Sequence, residues 1–283
     1  MTVGTLVSTD YLEARLLEPG LRVLDASWYM EGNPRDADAE FAAAHIPGAR
    51  RFDLRRAAQP GATLPHTLPS ERHFAAYAGH CGVSADHEVV LYDAADMSPS
   101  ARAWWMFKLH RHRRVSVLDG GLRKWKREGR QLASGADVGA SEFYPERREP
   151  RRAADFAAVE AAAAAAVQVV DARSAGRFSG SAAEPRPGLR SGHIPGSVNL
   201  PWAQLLDAET GTFRSSGEIA RLFREAGVDP LRPAICSCGS GVTACALALA
   251  LEHLGNCEVA VYNGAWSEWA SRRPQPLAAQ GAR

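Results

Sequence analysis

The sequence predicts an α/β protein made of two tandem copies of one domain, each a mainly parallel sheet flanked by helices. Three observations carry this. First, short apolar runs alternate with helix-like segments, the pattern of parallel βαβ units. Second, the text repeats. Val23-Leu24-Asp25-Ala26 is followed about 20 residues on by His45-Ile46-Pro47-Gly48-Ala49, and Val169-Val170-Asp171-Ala172-Arg173 is followed by His193-Ile194-Pro195-Gly196-Ser197. Third, both copies continue alike, and with only two copies present the repeat means paired domains, not a solenoid.

Each predicted element has a local reason. Glu88–Tyr92 and Pro233–Cys236 are apolar runs of strand length. Ala101–His110 and Val242–Leu254 read as helices, the second with Gly255 as its stop. Val117-Leu118-Asp119-Gly120-Gly121 and Val259-Ala260-Val261-Tyr262-Asn263-Gly264 close each copy as a strand and a turn, with Trp125 and Trp269 behind. The boundaries follow: a first domain over 1–135, a polar, Pro-bearing linker over 136–157 and a second domain over 158–283. The alanine run 161–166 reads as plain helix.

Composition narrows the function. The 283 residues carry a net charge of +1, with no basic stripe or acidic tail that would engage nucleic acid. His110-Arg111-His112-Arg113-Arg114 reads as a solvated cluster too short for that purpose. No run has the apolar length of a membrane span, and the first residues lack the pattern of a signal peptide. Five cysteines do not suggest a disulfide framework, so a reducing cytoplasm is expected. Neither a zinc-type ligand set nor a cofactor motif is found, and no metal or cofactor is expected.

The chemistry concentrates at Ile235-Cys236-Ser237-Cys238-Gly239-Ser240-Gly241-Val242-Thr243-Ala244. An apolar strand, a thiol, two glycines and a helix start describe a cysteine over a helix N-terminus. There free N–H groups and aligned peptide dipoles favour negative charge, and a thiolate is the nucleophilic form. Gly239 and Gly241 allow the backbone to turn tightly around sulfur. Cys236, at i−2, points to the same strand face and reads as a buried packing residue, with a redox or relay role as its alternative.

These residues resemble the tandem-domain rhodanese-type sulfurtransferases. The likeness rests on the two His-Ile-Pro-Gly elements, on Tyr262-Asn263-Gly264-Ala265-Trp266-Ser267-Glu268-Trp269 and on the Cys238 loop, and it spans nearly the whole chain. It implies two rhodanese-like domains, the second catalytic and the first inactive, with Asp93 where a cysteine would stand. Within the family, Cys238-Gly239-Ser240-Gly241-Val242-Thr243 is similar to the 3-mercaptopyruvate sulfurtransferases. Thiosulfate-preferring relatives carry a basic pair where Gly239 and Ser240 stand.

The resemblance further implies a Cys238 persulfide, with the loop residues Gly239, Gly241, Val242 and Thr243 cradling it. Arg177 and Arg186 would hold the donor's carboxylate, although on spacing alone they read as solvated loop arginines. A Ser240–His45–Asp36 proton relay across the domains is expected, with Asp38 as a rival to Asp36; the alternative for His45 is that it holds a turn, since His193 occupies the same text. The partners implied are a small sulfur donor, 3-mercaptopyruvate or thiosulfate, and an acceptor such as cyanide, a thiol or a thioredoxin-like protein. Two other readings stay open, a thiosulfate sulfurtransferase and a non-catalytic binding module. Phosphatase chemistry of the Cys-x5-Arg kind is disfavoured, because Ala244, Val242 and Leu251 stand six places after Cys238, Cys236 and Cys245.

Overall fold

A computed structural model describes residues 4–136, 139–162 and 167–272. The first domain runs β1 (Leu6–Val7), α1 (Thr9–Glu13), β2 (Leu21–Asp25), α2 (Ala37–Ala43), β3 (Arg50–Arg51), α3 (Leu54–Ala57), α4 (Glu71–His80), β4 (Glu88–Tyr92), α5 (Ser98–Leu109), β5 (Val115–Leu118) and α6 (Gly121–Arg127). The second runs β6 (Ala153–Ala154), α7 (Phe156–Ala162), β7 (Gln168–Asp171), α8 (Ala175–Ser179), β8 (Val198–Asn199), α9 (Ser216–Glu225), β9 (Ala234–Ser237), α10 (Ala244–His253), β10 (Val259–Tyr262) and α11 (Ala265–Arg272).

Each domain holds a five-stranded sheet, ordered β1-β5-β4-β2-β3 and β6-β10-β9-β7-β8. All pairings are parallel. The predicted α/β duplication is therefore the observed architecture. β4 and β9 take the same central place, and all their residues are buried. Strands covered on both faces by helices must be apolar throughout, which is why they read as continuous hydrophobic runs. The short edge strands β1, β3, β6 and β8 have two residues each, too few to show a period in sequence.

The linker is shorter than predicted. Ala153–Ala154 already pair with β10, so the second domain begins before residue 158. Upstream, the segment lies on the first domain: Glu142 N–H donates to the Gly79 carbonyl, and His110 Nδ1 meets the Arg147 carbonyl. These bonds satisfy backbone groups that a polar sequence leaves free to bind anywhere. Of the alanine run, Ala161 and Ala162 end α7, and 163–166 fall outside the described residues.

The two domains share one apolar core. Trp104, Trp105 and Phe107 of α5 join Ala246, Leu247 and Leu251 of α10 in a single buried cluster. α10 is buried from Ala244 to Leu251, as expected of a helix that is apolar all round. Its alanines allow close approach to α5, while each buried leucine contributes about 2 kcal/mol. Lys108 and Arg152 both pair with Glu252 at 2.7 Å across this boundary. The packing sets the carboxyl end of β9 against the first domain.

Candidate active site

The chain leaves β9 at Ser237 and turns through residues 238–243 into α10. Crevices outside the carboxyl ends of central strands are the usual ligand sites of such sheets. Cys238 is 2% exposed, and its Sγ accepts the Gly241 N–H at 3.1 Å. The loop is tied down from outside. Trp266 N–H donates to the Cys238 carbonyl at 2.9 Å, and Ser267 donates its N–H and hydroxyl to the Gly239 carbonyl at 3.1 and 2.7 Å. Gly241 sits at φ +84°, and a Cβ there would lie 3.0 Å from the Asn263 carbonyl oxygen. Glycine is required by both the backbone and the space.

Two arginines face the sulfur from the second domain. Arg177, on α8, donates Nη2 and Nε to Glu184 at 2.6 and 3.2 Å. The Glu184 side chain is buried and also accepts Nη1 of the buried Arg173 at 2.8 Å. This chain of alternating charges fixes Arg177 against the loop: its Nη2 stands 2.6 Å from where a Cβ on residue 239 would be. Arg186 is different. No carboxylate among the described residues forms an ion pair with it. Burial pulls its guanidinium below the ordinary value, and the facing Cys238 sulfur works in the opposite direction.

A cleft of about 250 Å³ collects these groups. Trp28, Asn33, Asp96 and Pro99 form the first-domain wall, and Arg177, Arg186, Trp202, Cys238, Gly239, Ser240, Val242 and Thr243 the second. The structure thus brings the predicted loop residues and both arginines together; Gly241 contributes from behind through its N–H. Thr243 caps α10 without using its hydroxyl, which leaves that group for the cleft.

The predicted relay is not assembled. His45 is buried within the first domain, its Nδ1 on the Phe41 carbonyl at 2.7 Å and its ring stacked on Phe41 at 4.1 Å. His193 repeats the arrangement with Phe178 at 2.9 and 4.1 Å. Both histidines hold a helix end against a turn, which is why the text recurs. Asp36 caps α2, accepting N–H groups from Asp38 and Ala39 at 2.9 and 3.1 Å, and lines another cavity. Its rival Asp38 pairs with Arg51 at 2.9 Å. Neither His45 nor Asp36 lines the cleft of Cys238 and Ser240.

Sequence reading missed His66, which the fold sets against Trp28 of the cleft wall. Its ring stands edge-on to Trp28 at 4.7 Å, and its backbone adopts φ +53°. Burial, then the Arg102 and Arg186 cations, pull it down to about 3, so the imidazole is neutral at physiological pH. It lies in the loop Leu64-Pro65-His66-Thr67-Leu68-Pro69, which has neither periodicity nor a counterpart in the second copy. Cys236 and Cys245 are both fully buried. Burial raises the Cys236 thiol well above its ordinary value and the Cys245 thiol to about 12, which fits packing residues. Among the described residues no His, Cys, Asp or Glu group could hold a metal ion, and no helix is long and apolar enough to cross a membrane.

Comparison with known proteins agrees with this geometry. The family profile "Rhodanese-like domain" matches residues 8–128 and again 157–272. The 3-mercaptopyruvate sulfurtransferase of Rattus norvegicus is 43% identical, over 98% of this chain and 95% of that protein. The thiosulfate sulfurtransferase of Gallus gallus is 44% identical, over 95% and 94%. Among solved structures, SseA from Escherichia coli, described with the 3-mercaptopyruvate sulfotransferases, superposes with a TM-score of 0.85 at 34% identity, over 94% of this chain and all of that one. With two copies of the profile filling most of its length and full-length relatives above 40% identity, this chain belongs to the rhodanese-like family.

Proposed function

We infer that this protein is a 3-mercaptopyruvate sulfurtransferase working through a persulfide on Cys238. The Cys238 thiolate attacks the donor sulfur and a sulfur–sulfur bond forms. The carbon–sulfur bond breaks, its electron pair passing to the pyruvate enolate, which takes up a proton to give pyruvate. Arg186 and the free edge of Arg177 hold the carboxylate and the enolate oxygen through charge-assisted hydrogen bonds. The N–H of Gly241, already on Sγ, stays with the sulfur as it is loaded. The outer sulfur then passes to cyanide or a thiol, including that of a thioredoxin-like protein. The five free cysteines are in keeping with a reducing compartment such as the cytoplasm.

One observation carries the choice of donor: Arg177 Nη2 fills the space beside Gly239 that a side chain would need. A loop cation at 239 would displace Arg177, so the positive charge of this site belongs to Arg177 and Arg186 on the cleft wall and not to the loop itself. That suits a keto acid whose carboxylate lies several atoms from its sulfur, better than a compact dianion. A second reading, thiosulfate as donor, is favoured by the equal similarity of thiosulfate sulfurtransferases. Mass spectrometry after mixing with each donor tests both, together with kcat/KM for each. One added sulfur on Cys238, and a ratio favouring mercaptopyruvate, are expected. No added sulfur with either donor, in wild type compared with Cys238→Ser, would remove the persulfide.

A further inference from the structure

Arg102 is the most conspicuous group that this account leaves unused. It belongs to α5 of the first domain and is 1% exposed. Its guanidinium lies over the Trp105 ring at 4.8 Å. Yet no carboxylate among the described residues pairs with it. Its oxygen partners are all neutral: Nη1 donates to the Gly241 carbonyl at 3.0 Å, and Nη2 to the His66 carbonyl and to Asn263 Oδ1, both at 2.7 Å; the guanidinium also borders the Cys245 thiol. Nε is buried without a partner. A buried cation is costly unless negative charge lies near it.

The Gly241 contact says where that charge belongs. Gly241, like Gly239, is a loop residue whose backbone is free unless it is held, and its N–H meets Cys238 Sγ. Its carbonyl is gripped on one side by Arg102 Nη1 and on the other by the Cys245 thiol at 3.2 Å. Holding the carbonyl holds the residue, and so aims the N–H. We propose that Arg102, contributed by the inactive domain, is a positioning residue for the catalytic loop: it fixes Gly241 so that its N–H faces the Cys238 sulfur, and supplies from behind the loop a cation for the anionic thiolate and persulfide. The first domain thereby completes the sulfur site of the second. His66, bound through its carbonyl at a left-handed φ, is held by the same fork.

This proposal rests on Cys238 being the sulfur carrier, but its test needs no sulfur donor. Site-resolved iodoacetamide alkylation of Cys238 is followed against pH by mass spectrometry in wild type, Arg102→Met and Arg102→Lys. The other groups around Cys238 that carry or can take charge are Arg177, Arg186 and Asp96 in the cleft, His66 beside it, and the thiols Cys236 and Cys245. All remain in every variant. In Arg102→Met the profile should move to higher pH and alkylation at neutral pH should slow about tenfold. Turnover should lose kcat with little change in KM, because the donor is held by other arginines. Arg102→Lys should restore much of both. If Arg102→Met does not fold, Asn263→Ala, which removes one acceptor of the fork, should move the profile the same way by less. A folded variant with an unchanged alkylation profile, or with KM raised at unchanged kcat, overturns the proposal. A change of preferred donor would leave it standing.

Discussion

Asp93 stands in the first domain where Cys238 stands in the second, and its carboxylate fills the loop that would otherwise cradle a sulfur. Each follows the central strand of its sheet. Each carbonyl accepts an N–H from the start of the helix that follows the next strand, Leu122 of α6 for Asp93 at 3.0 Å and Trp266 of α11 for Cys238 at 2.9 Å. Asp93 Oδ1 then accepts the N–H groups of Ala95 and Met97 at 2.8 and 3.2 Å, and Oδ2 that of Ser100 at 3.0 Å. The first-domain copy keeps the turn of N–H donors and holds a carboxylate of its own in it.

Asp93→Ala should therefore destabilise the protein through the first domain. Three N–H donors, two of them on buried residues, lose their acceptor, at a cost of about 1–3 kcal/mol in all. Denaturant midpoints with an unchanged m-value would show it. A variant as stable as wild type would mean that the turn does not depend on the carboxylate.

Arg186 is the cleft cation without an ion-pair partner, so its loss should fall on donor binding. Arg186→Gln is expected to raise KM for mercaptopyruvate about tenfold or more, in line with one charge-assisted hydrogen bond of about 1.5–3 kcal/mol. Steady-state kinetics decide this. Unchanged KM would take Arg186 out of the carboxylate site.

Gly239→Arg should act through Arg177. The new side chain occupies the place of Arg177 Nη2, and the Glu184 pair must open or rotate. We expect kcat/KM to fall about tenfold or more for mercaptopyruvate, and less for thiosulfate, which gains a cation beside its sulfur. Equal losses for both donors would sever the link between Gly239 and donor choice.

His45→Ala should keep turnover within about twofold of wild type and lower stability by about 1 kcal/mol, the size of one hydrogen bond with its ring packing. His193→Ala should behave alike in the second domain. A loss of kcat specific to His45→Ala, with stability kept, would restore a proton relay through that residue.

Stability should fall as pH drops from 7.5 to 5.5. Burial, chiefly, lowers His66 to about 3 and His110 and His112 to about 4, against an ordinary value of 6.5. Between those values the unfolded chain binds protons that the folded chain refuses, so stability rises with pH through that window and is complete above 6.5. Each histidine costs about 1 kcal/mol by pH 5.5. Asp25 and Asp119, raised by burial, oppose the trend. Urea unfolding at the two pH values measures the balance, and a flat or reversed dependence would contradict the histidine assignment.

Much of this protein is legible in its amino-acid order. The strands over Glu88–Tyr92 and Ala234–Ser237 are readable because burial on both faces demands unbroken apolar runs. The duplication shows because both copies meet the same packing demands, and the Cys238 loop because its glycines and helix start are contiguous. Arg177 and Arg186 came within reach through the likeness to relatives, not through spacing.

What stayed hidden depends on contacts between distant segments. His45 looked functional because it recurs, yet its recurrence with His193 reflects one structural job done twice. His66, Arg102 and Asp96 carry no local signal; they matter because α5 packs against α10 and lays the first domain over the mouth of the Cys238 loop. The amino-acid order by itself determined two α/β copies and one cysteine in a glycine-lined turn before a helix, since strand burial and glycine turns act over a few neighbouring residues. Only the tertiary structure decided which cations share the cleft of that thiol and which histidine backs its wall, since those meetings require two cores to fuse across residues far apart in the chain.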